Sequence, residues 1–143
     1  MRRHRHPSAF TLIELMMVVA ILSILASIAI PKFGNMVIKT RESVVKSSLG
    51  ALRAAISIYY SDTEGVYPGG GTLNTSLTAG GRYLTEMPTC QIPAPGNHPG
   101  TSGVTDYAGS YTDGGDWMYF VSTGGVTVNC THSDTLGRLW YSN

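Results

Sequence analysis

Hydrophobic residues follow one another almost without interruption over residues 9–30, and this run dominates the first part of the sequence. Between Phe10 and Ile30 the only charged residue is Glu14. A helix of this length would be about 31 Å long, which matches the hydrocarbon core of a bilayer. The pattern therefore predicts a membrane-spanning helix over residues 10–30.

Beyond Pro31 the hydrophobic residues become periodic. They fall largely on the i, i+3, i+4 spacing of one helix face, at Phe33, Met36, Val37, Val44, Val45, Leu52, Ala55, Ile56 and Tyr59. The charged positions between them are expected to face elsewhere: Lys39, Glu42, Lys46 and Arg53. Pro31 cannot donate a backbone hydrogen bond. The pattern therefore predicts one helix from about Phe10 to about Tyr60, bent near Pro31.

The rest of the chain changes from loop-like to strand-like composition. Residues 61–116 are rich in Gly, Pro, Ser and Thr, which is typical of loops. Residues 117–121 and 126–130 flank a short Ser/Thr/Gly segment and predict a hairpin, with a third strand over residues 139–141. We therefore expect an α+β fold, with a small antiparallel sheet over residues 117–143 packed on the second half of the helix, residues 31–60.

Charge is unevenly distributed along the chain, although its ten Lys and Arg nearly balance its nine Asp and Glu. Arg2, Arg3 and Arg5 precede the apolar run, so they would keep the N-terminus in the cytoplasm and send the rest outward. The second half of the helix is mainly basic, and the chain after it is mainly acidic. This is either ordinary solvated surface or an attraction between neighbouring copies. No segment is basic enough to predict nucleic-acid binding.

Glu14 needs a physical explanation, because a carboxylate inside a membrane span costs about 2–3 kcal/mol. It lies one helical turn after Phe10. If the chain were cut after Ala9, the new α-amino group of Phe10, in the same chain or a neighbour, would be a cation within reach. Without that cut, Glu14 would be expected to reach the interface of a plain membrane anchor.

The basic leader, the residues FTLIE at positions 10–14 and the apolar run that follows resemble the processing site of type IV pilins and type II secretion pseudopilins. The resemblance implies a leader over residues 1–9, cleavage between Ala9 and Phe10 by a prepilin peptidase, and methylation of the Phe10 amine. It also implies the pilin fold and assembly through residues 10–30, with Glu14 and Pro31 as assembly residues. Ala9 departs from the Gly that usually precedes the cut.

This resemblance implies a structural subunit of a helical filament, made as a single-pass inner-membrane precursor whose head, residues 31–143, lies in the periplasm. Its partners would be further copies of itself, the peptidase and an inner-membrane assembly platform. The product would be an extracellular pilus, for adhesion, motility or DNA uptake. The alternative is a periplasmic pseudopilus for protein export, since residues 52–68, with Tyr83, Leu84 and Pro88, resemble major pseudopilins more loosely.

Two other classes of function are less expected. A membrane-anchored binding module that never polymerises would need no cut before Phe10. An enzyme is the least expected, because the sequence has no phosphate-binding glycine loop, no nucleophile elbow and no His/Glu pair with zinc spacing.

Two cysteines, Cys90 and Cys130, would lie outside the cytoplasm if the membrane orientation is as predicted. A disulfide between them is therefore expected, with two free thiols as the alternative. Neither cysteine has the sequence spacing of a metal-ligand or redox motif.

The remaining candidate ligands are weak. Asp113, Asp116 and Asp134 could offer carboxylates to Ca²⁺, although acidic, glycine-rich turns are common without a metal. No cofactor is required by the predicted function. His98 and His132 are single histidines in loops, expected to be exposed and not to act as ligands.

Overall fold

The structure, a computed structural model, describes residues 10–143. A helix of 51 residues, α1, spans Leu12–Asp62, and a short helix, α2, spans Leu73–Thr78. Three strands follow: β1 at Val104–Asp106, β2 at Trp117–Phe120 and β3 at Gly125–Val128. Single 3₁₀ turns lie at Ala79–Gly81 and Trp140–Ser142. The chain forms two compact units, with the boundary between Val37 and Ile38.

The first unit is the apolar beginning of α1. Every residue over positions 10–28 is exposed. By length and composition this is a helix that could span a membrane, with a mean hydropathy of 2.6 and none of its most apolar window buried. The predicted apolar N-terminal helix is therefore confirmed, and its apolar surface has no cover within its own unit.

The second unit buries the hydrophobic stripe of α1 against the sheet and the loops. The helix contributes Val45, Leu49, Leu52, Ala55 and Ile56 to the core. The core residues facing them include Trp117, Tyr119, Val126, Val128 and Trp140. A large apolar side chain contributes about 1.5–3 kcal/mol when it is fully buried, so this contact holds the unit together.

The sheet is mixed rather than antiparallel, which corrects the prediction. β2 and β3 form the predicted hairpin, with Trp117 opposite Val128 and Phe120 opposite Gly125. β1 pairs parallel to the other edge of β2, with Val104 opposite Trp117. Three residues inside a loop-rich segment are too few to show a period of two, so β1 left no recognisable pattern.

The predicted third strand over residues 139–141 is wrong. Leu139 makes only an isolated bridge with Ser133, and Trp140 begins a 3₁₀ turn. The Trp140 side chain is buried in the core. Trp140 therefore fills the core from a turn. A run of three apolar residues in the sequence does not distinguish this role from that of a strand residue.

Several positions on α1 also depart from the predicted pattern. Phe33, Met36, Val37 and Val44, expected on the buried stripe, are exposed, whereas Glu42, expected to face solvent, is buried. The Glu42 carboxylate accepts hydrogen bonds from the Thr135 backbone N–H and the Thr135 hydroxyl, each at 2.7 Å. Buried carboxylates are tolerated when their oxygens are paired in this way. Glu42 therefore fastens the C-terminal loop to the helix.

Asp134 makes a second link between this loop and α1. Its side chain is fully buried, and one oxygen lies 2.6 Å from Lys46 Nζ. Its other oxygen accepts hydrogen bonds from the backbone N–H groups of Leu136 and Arg138, each at 2.9 Å. Burial raises the pKa of Asp134, but the bonds from Lys46 and from these N–H groups outweigh it and lower the pKa to about 2.

We expect Asp134→Asn to lower the free energy of unfolding of the head by about 2 kcal/mol at pH 7, because it removes hydrogen bonds to a charged group. An ordinary Asp has a pKa of 3.8, above that of folded Asp134. The carboxylate therefore stabilises the fold above about pH 4, and this contribution disappears as the pH falls towards 2. Urea unfolding of the full-length chain in detergent, followed by tryptophan fluorescence at several pH values, measures the difference.

The control is Glu86→Gln, which neutralises an exposed acid elsewhere on the head and should leave stability unchanged within about 0.5 kcal/mol. If Asp134→Asn lowers the free energy of unfolding by the same amount at pH 2 and at pH 7, the role assigned to the Asp134 charge is contradicted.

Candidate functional site

The start of α1 is built around Thr11 and Glu14. The Thr11 backbone N–H and the Thr11 hydroxyl donate to Glu14 Oε2, at 2.9 and 2.7 Å. The Glu14 backbone N–H lies 3.3 Å from Thr11 Oγ1 and donates to it. This reciprocal arrangement is a capping box, which satisfies backbone donors that the first turn of a helix leaves unpaired. Glu14 therefore has a structural role within the single chain.

The capping box leaves part of the Glu14 carboxylate available. Both bonds from Thr11 end on Oε2, and Oε1 makes no hydrogen bond within the described residues. Phe10, which directly precedes Thr11, has 82% of its surface exposed. A cation could therefore approach Oε1 without opening the capping box. Ala9, the other residue of the predicted cut, lies outside the described residues.

Pro31 lies inside α1, which continues through it. Proline has no N–H, so the carbonyl of Ser27, one turn earlier, lacks its helical donor at this point. Gly34 follows within the next turn, and glycine costs about 1 kcal/mol relative to alanine in a helix. The helix is therefore intrinsically weak over residues 27–34.

Cys90 and Cys130 are both fully buried in the core of the head as free thiols. Burial raises the pKa of Cys90 to about 12, and the neighbouring Cys130 also raises it. Burial likewise raises the pKa of Cys130 to about 11. Both thiols are therefore protonated and poorly nucleophilic at neutral pH. The disulfide between them stays a prediction.

The three aspartates proposed for calcium lie in different sets of contacts. Asp113 accepts from the Thr131 backbone N–H at 2.8 Å. Asp116 accepts from the Thr105 hydroxyl and from the Asn129 side-chain amide. Within the described residues the three carboxylates do not form one cluster, since Asp134 is paired with the helix. Calcium binding at this set stays a prediction.

His98 and His132 are not isolated. Their ring centroids lie 5.5 Å apart, and each ring has a nitrogen within 3.5 Å of Asp113 Oδ1. Cys130 Sγ lies 3.4 Å from His132 Nδ1. The expectation of single histidines is therefore wrong, whereas exposure is wrong for His98 and correct for His132. The structure gathers His98, Asp113, Cys130 and His132 into one loop cluster. The sequence offered only one indication of it, the Cys-x-His spacing at positions 130–132.

Comparison with known proteins finds a family match at the N-terminal end of the chain. Residues 4–30 match the family described as "Prokaryotic N-terminal methylation motif". The chain therefore carries this N-terminal methylation motif. The motif includes the capping box and most of the exposed apolar part of α1, and it is consistent with a membrane-anchored protein.

Related proteins include a fimbrial protein, a pilin and a secretion-system protein. The Type IV major fimbrial protein FimA of Dichelobacter nodosus is 40% identical over 101 residues, which cover 68% of this chain and 60% of that protein. The Type IV major pilin protein PilA of Myxococcus xanthus is 39% identical over 74 residues, covering 52% of this chain and 34% of PilA. The Type II secretion system core protein G of Pseudomonas aeruginosa is 38% identical over 60 residues, covering 42% of each chain.

The chain spans about half to three fifths of the length of several curated relatives that it matches. No solved structure matches it significantly. The relatives are named as fimbrial, pilin and secretion-system proteins.

Proposed function

We propose that this protein is the structural subunit of a type IV pilus-like filament. The observation that carries the proposal is the apolar helix over residues 10–28, which is exposed along its whole length and begins with the methylation motif. In the membrane, lipid would cover this surface. In a filament, the equivalent helices of other copies would cover it. The same apolar surface would therefore be covered both in the membrane and in the filament.

Processing would come first. Residues 1–9 would form the leader, and a prepilin peptidase would cut between Ala9 and Phe10 and methylate the Phe10 amine. Positive residues in the leader would hold the N-terminus in the cytoplasm, with the head in the periplasm. An inner-membrane platform would then extract the cut subunits from the bilayer and add them to the filament.

Glu14 would set the position of each incoming subunit. Once Phe10 has a free amine, its positive charge can pair with Glu14 Oε1 of a neighbouring copy, while Oε2 remains in the capping box. Breaking a buried ion pair by removing one partner costs about 3–5 kcal/mol, so a subunit placed in the wrong register would be strongly disfavoured. The weak helix around Pro31 would allow α1 to open locally during packing.

A pseudopilin is the second candidate, supported by the similarity to the secretion-system core protein G. Its filament would remain in the periplasm and act in protein export, whereas a pilus would extend from the cell. Purified extracellular fibres that contain this chain would favour the pilin, and their absence from cells with an intact assembly platform would favour the pseudopilin.

The first test is the intact mass of the protein from cells with and without a prepilin peptidase. We expect the mass to fall by residues 1–9 and to rise by one methyl group, only when the peptidase is present. The control is Phe10→Ser, which alters the residue after the cut. A full-length or differently cut chain in the presence of the peptidase would support a membrane-anchored module instead and would remove the role proposed for the Phe10 amine.

The second test separates the charge of Glu14 from its capping role. Glutamine also serves at this position of a capping box, so Glu14→Gln should preserve the helix start and membrane insertion. We expect it to lower filament yield by about tenfold or more, since each 1.4 kcal/mol lost at a contact is tenfold in its equilibrium constant. Quantification of the chain in membrane and sedimented filament fractions measures both effects.

Thr11→Ala is the matched variant, because it removes the capping hydroxyl and keeps the charge. We expect it to assemble better than Glu14→Gln, and Glu14→Ala, which loses both roles, to insert but assemble poorly. Normal filament yield from Glu14→Gln would rule out pairing with the Phe10 amine.

A further inference from the structure

The loop cluster joins residues from three separate parts of the head. His98 lies before β1, Asp113 lies between β1 and β2, and Cys130 and His132 follow β3. Each offers one potential ligand atom, and the four atoms all lie within 4.8 Å of one another.

The two distances from Asp113 to the histidine nitrogens are longer than those of hydrogen bonds, whereas the distance between Cys130 and His132 is one at which sulfur does form hydrogen bonds. His98 Nε2 lies 3.5 Å and His132 Nδ1 lies 3.4 Å from Asp113 Oδ1. Cys130 Sγ lies 3.4 Å from His132 Nδ1. Hydrogen bonds between nitrogen and oxygen are usually about 2.7–3.2 Å long. Around a tetrahedral ion with metal–ligand bonds of about 2.0–2.3 Å, neighbouring ligand atoms are about 3.3–3.8 Å apart. These three distances match that spacing, and all four ligand atoms lie within 4.8 Å of one another, so the cluster is close to the size that a shared ion requires.

One atom of the cluster also lacks a partner of its own. His98 Nε2 is buried and makes no hydrogen bond within the described residues. A buried polar group left unpaired costs about 1–3 kcal/mol. Asp113 Oδ1 cannot fully offset this cost at 3.5 Å, whereas coordination of a metal by the nitrogen would.

The backbone around the cluster holds these groups in place. The Gly115 backbone N–H donates to the Asn129 carbonyl at 2.9 Å, which joins the two sides of the cluster. The Thr131 backbone N–H holds Asp113 Oδ1. Gly115 has a φ of +71°, and a Cβ there would lie 2.4 Å from the Cβ of His98. Only glycine therefore leaves room for the His98 ring at this point.

We propose that His98, Asp113, Cys130 and His132 bind a Zn²⁺ ion in a tetrahedral site. Two imidazoles, a thiolate and a carboxylate are ligand types that Zn²⁺ accepts, whereas Ca²⁺ takes oxygen ligands. Binding forms a bond between Zn²⁺ and Cys130 Sγ and releases the thiol proton to solvent. The side chains of Asp113 and His132 are 34% and 42% exposed, which gives the ion a path from solvent.

The ion would cross-link the loop that carries His98, the loop that carries Asp113 and the segment after β3. It would stabilise the head by mass action, because the unfolded chain cannot present the four ligands together. A disulfide between Cys90 and Cys130 would use the same sulfur as the metal. The disulfide and the four-ligand zinc site therefore exclude each other.

The test measures zinc binding by the full-length chain in detergent, with the thiols kept reduced. We expect one Zn²⁺ per chain by elemental analysis after dialysis, and a higher melting temperature of the head with Zn²⁺ than with a chelator. Competition with a chromophoric chelator measures the affinity. Substitution of Co²⁺ should add a thiolate-to-cobalt charge-transfer band, which Cys130→Ser should abolish.

Variants of the exposed ligands are expected to fold, so a loss of zinc binding in them reports on the site itself. His132→Ala and Asp113→Asn should each weaken zinc binding by about 100-fold or more, given that even changes around the ligands of a zinc site cost about 10–100-fold. Tryptophan fluorescence checks that each variant is folded.

Two controls keep all four ligands. Cys90→Ala removes the competing disulfide partner and should bind Zn²⁺ as tightly as the reduced parent chain. Glu86→Gln removes an exposed acid outside the cluster and should also bind normally. Two results would overturn the proposal: no stoichiometric zinc on reduced Cys90→Ala, or equal affinity in the parent chain and folded His132→Ala.

Discussion

The exposed apolar surface at the beginning of α1 is the constraint on which the proposed function of this protein depends. Residues 10–28 have no cover within their own unit, and a surface of this size cannot remain in water. Lipid and the equivalent helices of other copies are equally apolar, so transfer between them changes the hydrophobic free energy little. The hydrophobic effect therefore does not determine when the helix leaves the bilayer or which position it takes among the other helices. Polar contacts and close packing must determine both.

Glu14 can provide such a polar contact because its two carboxylate oxygens have different roles. Oε2 belongs to the capping box with Thr11, which forms within a single chain. Oε1 remains for a cation from outside the capping box. A capping box is common at helix starts and does not by itself indicate assembly. The charge acquires a second role only if a free amine is made at Phe10, so processing and assembly would be linked at one residue.

The head is stabilised differently from the N-terminal apolar helix, because its core is assembled from distant parts of the sequence. The stripe of α1 packs on the sheet, and Glu42 and Lys46 tie the C-terminal loop to the helix through Thr135 and Asp134. These paired carboxylates are buried, so their bonds are little weakened by solvent. The loop cluster lies on the same unit, and its four side chains lie close enough together for the zinc site that we propose.

The sequence by itself determined the apolar helix, its buried stripe from Val45 onward and the hairpin of β2 and β3, because each rests on a local pattern of hydrophobic residues. It also determined the N-terminal motif at Phe10 and Glu14, where the residues lie within one turn. Only the tertiary structure decided the parallel pairing of β1, the burial of Glu42 and the meeting of His98 with His132. These depend on contacts between residues 13 to 93 positions apart, which leave no regular spacing in the sequence.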